Sequence, residues 1–353
     1  MTDASRRFAG ALLLPLRLVA SWLLLSAVHR RFVLAPGKHT FQSENWLGHK
    51  INTFFPHANT PFYEGLDFFL RRPVWLDVFG YVFTFTELIV GLLLLLGLFS
   101  RLTGAMLVGL SVGLMHTAGW LGPTCLDEWQ IASLLVTTGA MLAAYGTGGF
   151  SADAWLRARY PSLPDRPLGR WLAYPAYDLT SPFFRRLTVG LTVVLVVYVM
   201  GMNQVHHGGL WGPLHNHSKK PDIQLSDLTV HGDRHFSVTA FRDKGPEAYG
   251  TFVIQTRLQT AQDSVVHRFD ADDLSTMSPD AIENVYVNKI APDEHSLELP
   301  LGAKGTIHFR LPPGTRLEPD ARYTVSMTEA GGRTYTTTSS PTEASGSPRD
   351  AGR

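Results

Sequence analysis

Long apolar runs dominate the first half of the chain. A helix that crosses a membrane needs roughly 20 mostly apolar residues, and five stretches reach or approach that length. They cover residues 8–28, 78–99, 103–121, 128–145 and 187–202. The pattern therefore predicts five membrane helices, in which Pro and Gly are tolerated where neighbouring helices satisfy the freed backbone groups.

Beyond Ile223 apolar and polar positions alternate with a period of two. The clearest alternating segments are residues 236–241, 251–256, 284–288, 306–309 and 323–327. Turn-forming clusters separate them at residues 231–233, 243–246, 311–314 and 330–332. Short strands at this spacing predict an antiparallel sandwich or barrel, and we favour the sandwich.

The predicted fold class is a membrane all-α helical bundle, of four helices plus a fifth anchoring helix, followed by an extracytoplasmic all-β sandwich domain. The four-helix membrane domain covers 1–150, and an Arg-rich cytoplasmic linker covers 151–186. The fifth transmembrane helix is expected at 187–203 and the β-sandwich at 204–338. Residues 339–353 are rich in Ser, Pro and Gly, which predicts a disordered tail.

The first apolar run could be a cleaved signal peptide or a retained helix. Arg6 and Arg7 resemble the basic start of a signal peptide. However, Arg17 interrupts the run, and no small-x-small cleavage site precedes the basic cluster at 29–31. A retained helix is therefore favoured.

The charges of the short loops predict the orientation. The turn around Arg101 is basic, residues 148–186 carry six Arg, and the turn at 122–128 is acidic. The first two are expected in the cytoplasm and the third outside. The loop at 29–77 falls outside despite six Lys and Arg, because long loops follow the rule less strictly. This predicts a multi-pass protein of the inner (cytoplasmic) membrane with a cytoplasmic N-terminus and an extracytoplasmic C-terminal domain.

Charge density supports the division into two halves. Residues 1–202 hold 16 Lys and Arg and 11 Asp and Glu, whereas the remaining 151 residues hold 15 and 19. This excludes a single soluble domain, a disordered chain and a coiled coil. The single cysteine, Cys125, excludes an intrachain disulfide, a CxxC metal site and CxxCH haem attachment. The net charge of +1 gives no indication of a nucleic-acid partner.

Two ionisable side chains, Arg17 and Glu87, lie inside predicted spans. Such groups are costly in a bilayer and are usually functional. One interpretation is that they pair across the bundle and fix helix packing. The other is that Glu87 handles protons beside a quinone while Arg17 holds an anionic group.

The turn at 122–130 joins two helices at the outer face. Asp127 and Glu128 suit the first turn of the second helix, where carboxylates face the positive end of the helix dipole. Cys125 beside an open helix N-terminus could have a lowered pKa and act as a nucleophile, although the adjacent carboxylates oppose this.

Histidines supply the remaining candidates. His116 is either a hydrogen-bonded packing residue or, with His29, a haem ligand. Residues 206–218 form a linker in which Trp211 suits the headgroup region. The linker also carries His206, His207 and His215 and could instead hold an anion or a metal, but no nearby Cys or carboxylate completes a metal shell, so we predict no metal.

No motif of a soluble enzyme is present: GxSxG, the P-loop and HExxH are all absent. The Gly-rich residues 145–149 end a helix instead of following a strand, so they are not a dinucleotide-binding loop. The sequence shows no legible site for a bound cofactor.

Three segments carry a resemblance to known families. Residues 86–102 (TELIVGLLLLLGLFSRL) resemble the second helix of the DoxX-like four-helix membrane proteins, and residues 122–130 (GPTCLDEWQ) look more specifically like DoxD. Residues 208–216 (GGLWGPLHN) and the β-region that follows are similar to DoxA. The resemblance covers nearly all of the chain and implies a DoxD–DoxA fusion of the thiosulfate:quinone oxidoreductase type, joined near 150–185.

This resemblance implies that two thiosulfate ions couple to tetrathionate outside the membrane while a quinone accepts the electrons. The implied partners are the lipid bilayer, quinone and thiosulfate, with another redox subunit or a homo-oligomer as further options. Because no cofactor is legible, the chemistry is either direct, through a thiosulfonate on Cys125, or completed by another subunit. The expected catalytic residues are Cys125, Glu87, His116, Asp127 and Glu128. The expected substrate-binding residues are Arg17, Arg101, Trp129, His206, His207, Trp211 and His215.

Two other functions remain as alternatives. The chain could be a non-catalytic membrane anchor that presents an outer β-domain to a protein or ligand. It could also be a DoxX-like assembly or redox-maintenance factor. Arg17, Glu87 and the Cys125 turn favour the enzyme, because a plain anchor does not need them.

Overall fold

The computed structural model describes residues 3–41, 43–118, 128–173, 181–214, 220–245, 251–318 and 321–339, with the backbone alone for 3–11, 164 and 171. The chain forms two compact units, Met1–His217 and Ser218–Arg353. The start of the outer domain at residue 204 stays a prediction.

The first unit is helical. Its described α-helices are α1 Asp3–His29, α2 Leu47–Phe54, α3 Phe62–Leu70, α4 Pro73–Leu96, α5 Ser100–Thr117, α6 Glu128–Tyr145, α7 Ala152–Arg159, α8 Pro167–Ala173 and α9 Pro182–His206. A π-helical turn, Arg30–Leu34, continues α1, and a 3-10 turn, Pro36–His39, follows it. Two further 3-10 turns are Phe55–His57 and Leu163–Asp165.

Three described helices are long and apolar enough to cross a membrane: Leu12–Leu34, Pro73–Leu96 and Pro182–His206. These match the first, second and fifth predicted spans. The third and fourth predicted spans are α5 and α6, which have 18 residues each. A helical membrane unit is therefore confirmed, and the crossing of the bilayer by α5 and α6 stays a prediction.

The bounds of α4 follow from its terminal residues. Pro73 occupies the first turn, where its missing N–H costs nothing, so the helix begins earlier than the predicted residue 78. Gly97 ends it with a φ of 64°, a left-handed conformation that glycine adopts without strain. The chain then reverses within a few residues, so α4 and α5 form an antiparallel hairpin.

Small residues let α5 and α6 approach closely. A Cβ added to Gly104 would lie 2.6 Å from the carbonyl oxygen of Gly139, and one added to Gly139 would lie 2.7 Å from that of Gly104. Neither position can hold a larger residue without moving the backbone. Paired small residues of this kind are typical of helix contacts in membranes.

The second unit is an all-β domain, and its described residues form two antiparallel sheets and one short helix, α10 Ala271–Ser275. The strands are β1 Asp222–His231, β2 His235–Lys244, β3 Thr251–Thr260, β4 Val265–Phe269, β5 Ile282–Asn284, β6 Ala291–Asp293, β7 Ser296–Leu299, β8 Lys304–Arg310, β9 Tyr323–Glu329 and β10 Thr334–Thr338. One sheet has the order β1-β2-β8-β5. The other has the order β10-β9-β3-β7-β6, with β4 also paired to β3.

A single apolar core joins the inward faces of the two sheets. Phe236 on β2 stacks on Phe309 on β8 with 4.9 Å between ring centroids, and the second sheet contributes Leu258 and Val325. The predicted sandwich is thus confirmed. Arg242 is wholly buried and donates to the carbonyl oxygen of Leu299 at 3.1 Å. Burial lowers the pKa of Arg242 to about 10, against the opposing effect of Tyr335 and nearby carboxylates.

Two predictions about this domain need correction. Residues 284–288 alternate like a strand, but β5 ends at Asn284. The Asn284 side chain accepts from the backbone N–H of Ile290 at 2.7 Å and donates to its carbonyl oxygen at 3.0 Å. These bonds fold the following residues into a loop with buried apolar side chains. Ser339, predicted to begin the tail, is instead buried and bonded to Tyr323, and residues 340–353 lie outside the described residues.

Candidate functional site

Glu87 lies on the buried face of α4 and forms an ion pair with Arg31. Arg31 comes from the π-helical turn that continues α1, and its Nη1 also donates to Thr84 Oγ1 at 3.2 Å. The guanidinium carbon is 5.4 Å from the centre of the Phe83 ring. The pair that we considered between Arg17 and Glu87 is therefore wrong: Arg31 is the partner of Glu87.

Arg17 lies near the other end of α4, beside Gly97. Its Nη2 donates to the carbonyl oxygen of Phe150 at 2.8 Å, and it interacts electrostatically with Asp153. Arg101 also lies at this end and is bonded to the carbonyl oxygen of Arg170 at 3.4 Å. Among the candidate residues that the structure describes, neither Arg17 nor Arg101 is brought together with the others.

Asp153 organises this end of the bundle. Its carboxylate accepts from the backbone N–H groups of Phe99 at 2.8 Å and Ser100 at 2.9 Å, which cap the start of α5. Burial raises the pKa of Asp153, and the hydrogen bonds from Ser100 and Phe99 oppose that shift. These contacts give Arg17 and Asp153 a structural role at the turn between α4 and α5.

A stack of rings lies beside the Arg31–Glu87 pair. The His39 ring lies 4.8 Å from the Phe32 ring and 4.5 Å from the Tyr81 ring between centroids, and those two rings are themselves 6.4 Å apart. The Tyr81 hydroxyl donates to the His39 carbonyl oxygen at 3.0 Å. The His39 side chain is buried, and its Nε2 makes no hydrogen bond with any residue that the structure describes. Burial lowers the pKa of His39, as does Arg31, while Asp77 opposes the shift.

A polar stripe runs along α4 from its first turns to the ion pair. Asp77, Tyr81, Thr84 and Glu87 follow one another at spacings of four, three and three residues, which places them on one helix face. At the start of the stripe, Trp46 Nε1 donates to Asp77 Oδ1 at 2.9 Å. The stripe is thus covered by side chains from the segment between α1 and α2.

Several predicted site residues meet at the other end of the α4–α5 hairpin. The amide nitrogen Nδ2 of Asn59 is 2.9 Å from His206 Nε2 and 3.5 Å from His116 Nδ1. The Asn59 backbone N–H also donates to the His116 carbonyl oxygen at 2.9 Å. His116 stacks on Phe62 at 5.5 Å and lies 6.0 Å from the Tyr198 ring. We call Asn59, His116 and His206 the histidine cluster.

The neighbouring contacts bring in further candidates. Trp129 meets His207 edge-on at 6.2 Å between centroids, and Lys50 Nζ is 4.0 Å from Glu128 Oε1. Trp211 is exposed, and the Gln204 side chain binds its backbone N–H and carbonyl at 3.1 and 3.0 Å. Cys125, Asp127 and His215 lie outside the described residues. In the described part of the chain, no group of three or more His, Cys, Asp and Glu could hold a metal.

The two sites lie at different depths. Glu87 is ten residues from Gly97 on α4, and His116 is sixteen residues from Ser100 on α5. At 1.5 Å per residue these separations are about 15 Å and about 24 Å along antiparallel helices. The ion pair is therefore near the middle of the bundle, and the histidine cluster is nearer the end at which α4 begins.

Sequence reasoning missed five residues: Arg31, His39, Asn59, Asp77 and Tyr81. The helical spacing of Asp77, Tyr81, Thr84 and Glu87 was a signal for the stripe on α4. Nothing in the local sequence pointed to Arg31 as the partner of Glu87. Arg31 reaches Glu87 because it lies in a π-helical turn, and the sequence pattern did not predict that turn.

Comparison with known families covers most of the chain. Residues 12–166 match the family described as TQO small subunit DoxD. Residues 206–338 match the family described as TQO small subunit DoxA. The two matches follow each other without overlap, in the order that the sequence resemblance implied. The chain therefore belongs to the DoxD and DoxA families of TQO small subunits, which are joined here in one polypeptide.

Proposed function

We propose that this chain oxidises thiosulfate to tetrathionate and passes the electrons to a quinone in the membrane. Membership of two thiosulfate:quinone oxidoreductase subunit families supports the reaction class. The observation that carries the proposal is the buried Arg31–Glu87 pair beside the His39 ring stack, in helices long enough to span a bilayer. Ionisable groups at this depth mark functional sites by default.

The Arg31–Glu87 region has the properties required to bind a quinone head. Arg31 can donate hydrogen bonds to a carbonyl oxygen, and Glu87 can hold a proton next to it. Phe32, Tyr81 and Phe85 supply aromatic surface, with 5.7 Å between the Phe32 and Phe85 centroids. A lipid-soluble acceptor can reach the site from the bilayer.

The histidine cluster has the properties required to bind thiosulfate. Thiosulfate is a dianion, and charge-assisted hydrogen bonds from imidazole and amide N–H groups stabilise such an ion. Asn59 Nδ2 faces His206 Nε2 and His116 Nδ1, so each neutral imidazole carries its N–H on its other ring nitrogen, and these N–H groups are the proposed donors to the anion. We place this end of the bundle at the outer face of the cytoplasmic membrane, where the substrate arrives from water.

The reaction balances with these two substrates and two protons taken from water. Two thiosulfate ions each lose one electron as the sulfur–sulfur bond of tetrathionate forms, and no proton is released. The quinone gains both electrons and two protons and becomes a quinol. Cys125, three residues before Glu128 in the sequence, remains our proposed nucleophile if the sulfur transfer is covalent.

The purified full chain in detergent tests this function. Thiosulfate and a soluble quinone analogue are added, quinone reduction is followed optically, and tetrathionate is assayed. We expect one tetrathionate for each quinone reduced. A folded chain that performs neither half-reaction would show that it is instead an anchoring or assembly subunit.

Replacing His116 by Phe should weaken thiosulfate binding selectively. The new ring keeps the stack on Phe62, but it lacks the imidazole N–H that is proposed to donate to thiosulfate, and the contact between Nδ1 and Asn59 is lost as well. Losing a hydrogen bond to a charged ligand costs about 1.5–3 kcal/mol, so we expect KM for thiosulfate to rise roughly 10- to 100-fold. Steady-state kinetics with each substrate varied in turn will measure this.

The KM for quinone should stay within about twofold of the wild type in the His116→Phe variant. The exposed His295, replaced by Phe in the same way, is the matched control and should change neither constant. Equal increases in both KM values would contradict a thiosulfate site at the histidine cluster.

A further inference from the structure

The Arg31–Glu87 pair is buried, so protons need a path to reach it. The polar stripe of α4 leads from this pair toward Pro73 through Thr84, Tyr81 and Asp77. No comparable stripe extends from Glu87 toward Gly97: the buried positions there are Val90, Gly91 and Leu94. The described part of α4 is therefore polar on one side of the ion pair and apolar on the other.

His39 lies beside this stripe as a group that can carry protons. Its ring contacts both Phe32 and Tyr81, and the three rings form one cluster. Its buried Nε2 lacks a hydrogen-bond partner in the described residues, and an unpaired buried polar atom is costly unless a ligand or water satisfies it. The charged groups that act on His39 are Arg31, which lowers its pKa, and Asp77, which raises it.

We propose that the two protons consumed in quinol formation enter from the Pro73 end of α4 and that one passes through His39 and the other through Glu87 to the bound quinone. This inference rests on the proposed function. The Pro73 end of α4 is also the end at which the histidine cluster lies, because α4 and α5 are antiparallel. Thiosulfate is therefore oxidised, and protons are taken up, on the same side of the membrane.

The step balances as written. Each carbonyl oxygen of the quinone gains one electron and one proton, and the electrons come from two thiosulfate ions. His39 gives a proton from its ring to one oxygen and recovers it from water on the side of Asp77. Glu87 remains beside the second oxygen and serves it in the same way.

Vesicles containing the full chain and a bilayer-soluble quinone test the direction of proton entry. Thiosulfate added outside does not cross the bilayer, so only molecules with an outward-facing thiosulfate site turn over. Impermeant pH dyes report the outer and inner water separately. We expect the outer water to lose two protons for each tetrathionate formed, with no change inside.

Two results would overturn this inference in different ways. Tetrathionate formation with alkalinisation of the vesicle interior would show that the proposed reaction is right and the proton route wrong. If the folded wild-type chain forms neither tetrathionate nor quinol, the proposed function is wrong, and the proton route is wrong with it.

Variants test the part played by His39. The His39→Phe variant keeps a ring in contact with Phe32 and Tyr81 but cannot donate a proton. We expect kcat to fall about 100-fold, with KM for thiosulfate unchanged and the inflection in the pH profile of kcat lost. His295→Phe is the control. A His39→Phe variant with wild-type kcat and pH profile would exclude this route.

The Asp77→Asn variant gives a second test of His39, through a shift in the pH profile of kcat that a loss of packing would not produce. Asn keeps an acceptor for Trp46 Nε1 but removes the charge that opposes the lowering of the His39 pKa. The inflection in the pH profile of kcat should therefore move to lower pH. A shift in the opposite direction, or none, would contradict the coupling between Asp77 and His39.

Discussion

Replacing Arg31 by Met is expected to destabilise the helical unit by about 3–5 kcal/mol and to stop quinone reduction. Glu87 is nearly buried and its described ion-pair partner is Arg31. Removal of one member of a buried pair leaves a charge in a medium that solvates it poorly. The free energy of unfolding lost in this way is larger than the net stabilisation that the intact pair provides. Thermal unfolding of the purified variant in detergent measures the loss.

A double replacement separates stability from function. With Arg31→Met and Glu87→Leu together, no charge remains buried, so stability should return to near the wild-type value, because apolar side chains can replace a buried ion pair. Quinone reduction should stay absent. The exposed pair Arg71–Asp67 on α3 is the matched control, and Arg71→Met should cost less than about 1 kcal/mol. Equal losses for Arg31→Met and Arg71→Met would show that the Glu87 pair is not buried.

Replacing Phe309 by Ala should destabilise the β-domain by about 3–5 kcal/mol. Phe309 is buried and its ring contacts both Phe236 and Phe269, the second at 5.0 Å between centroids. The substitution removes apolar contact and leaves a cavity between the two sheets. Hydrogen exchange of the intact chain measures the effect, since amides of β2 and β8 should exchange faster in the variant.

Phe252 is the control for this prediction. It lies on β3 in the same domain, but 36% of it is exposed, so its replacement by Ala leaves no closed cavity. We expect a smaller change for Phe252→Ala. The amides of α4 should exchange at the wild-type rate in both variants. A Phe309→Ala variant that is no less stable than Phe252→Ala would contradict the description of this core.

Periodicity predicted most of the fold, because burial imposes one repeat on helices and another on strands. The apolar runs found α1, α4 and α9, and the alternation found β2, β3, β8 and β9. The alternation failed at 284–288, where the Asn284 side chain bonds the backbone of Ile290 and folds the chain into a loop. A local pattern cannot distinguish a strand from a loop whose alternate side chains are buried.

The candidate site was predictable only in part. His116, His206 and Glu87 stood out in the sequence because ionisable groups in or beside apolar helices are costly. Their partners did not: Asn59 lies in a loop of ordinary composition, and Arg31 follows the first helix as one of several basic residues. Side-chain type and spacing along one helix reveal a functional group, but not the residue that meets it from another helix.

By itself, the sequence determined the division into a membrane helical part and an all-β part, and it carried the motifs of the two subunit families. Hydrophobic burial acts on every residue of an element, so its pattern is readable along the chain. Only the tertiary structure decided that Glu87 pairs with Arg31, that His39 contacts Phe32 and Tyr81, and that Arg17 supports the opposite end. These pairings join residues up to 133 positions apart, and they depend on how the helices pack and on one π-helical turn, neither of which has a repeat in the sequence.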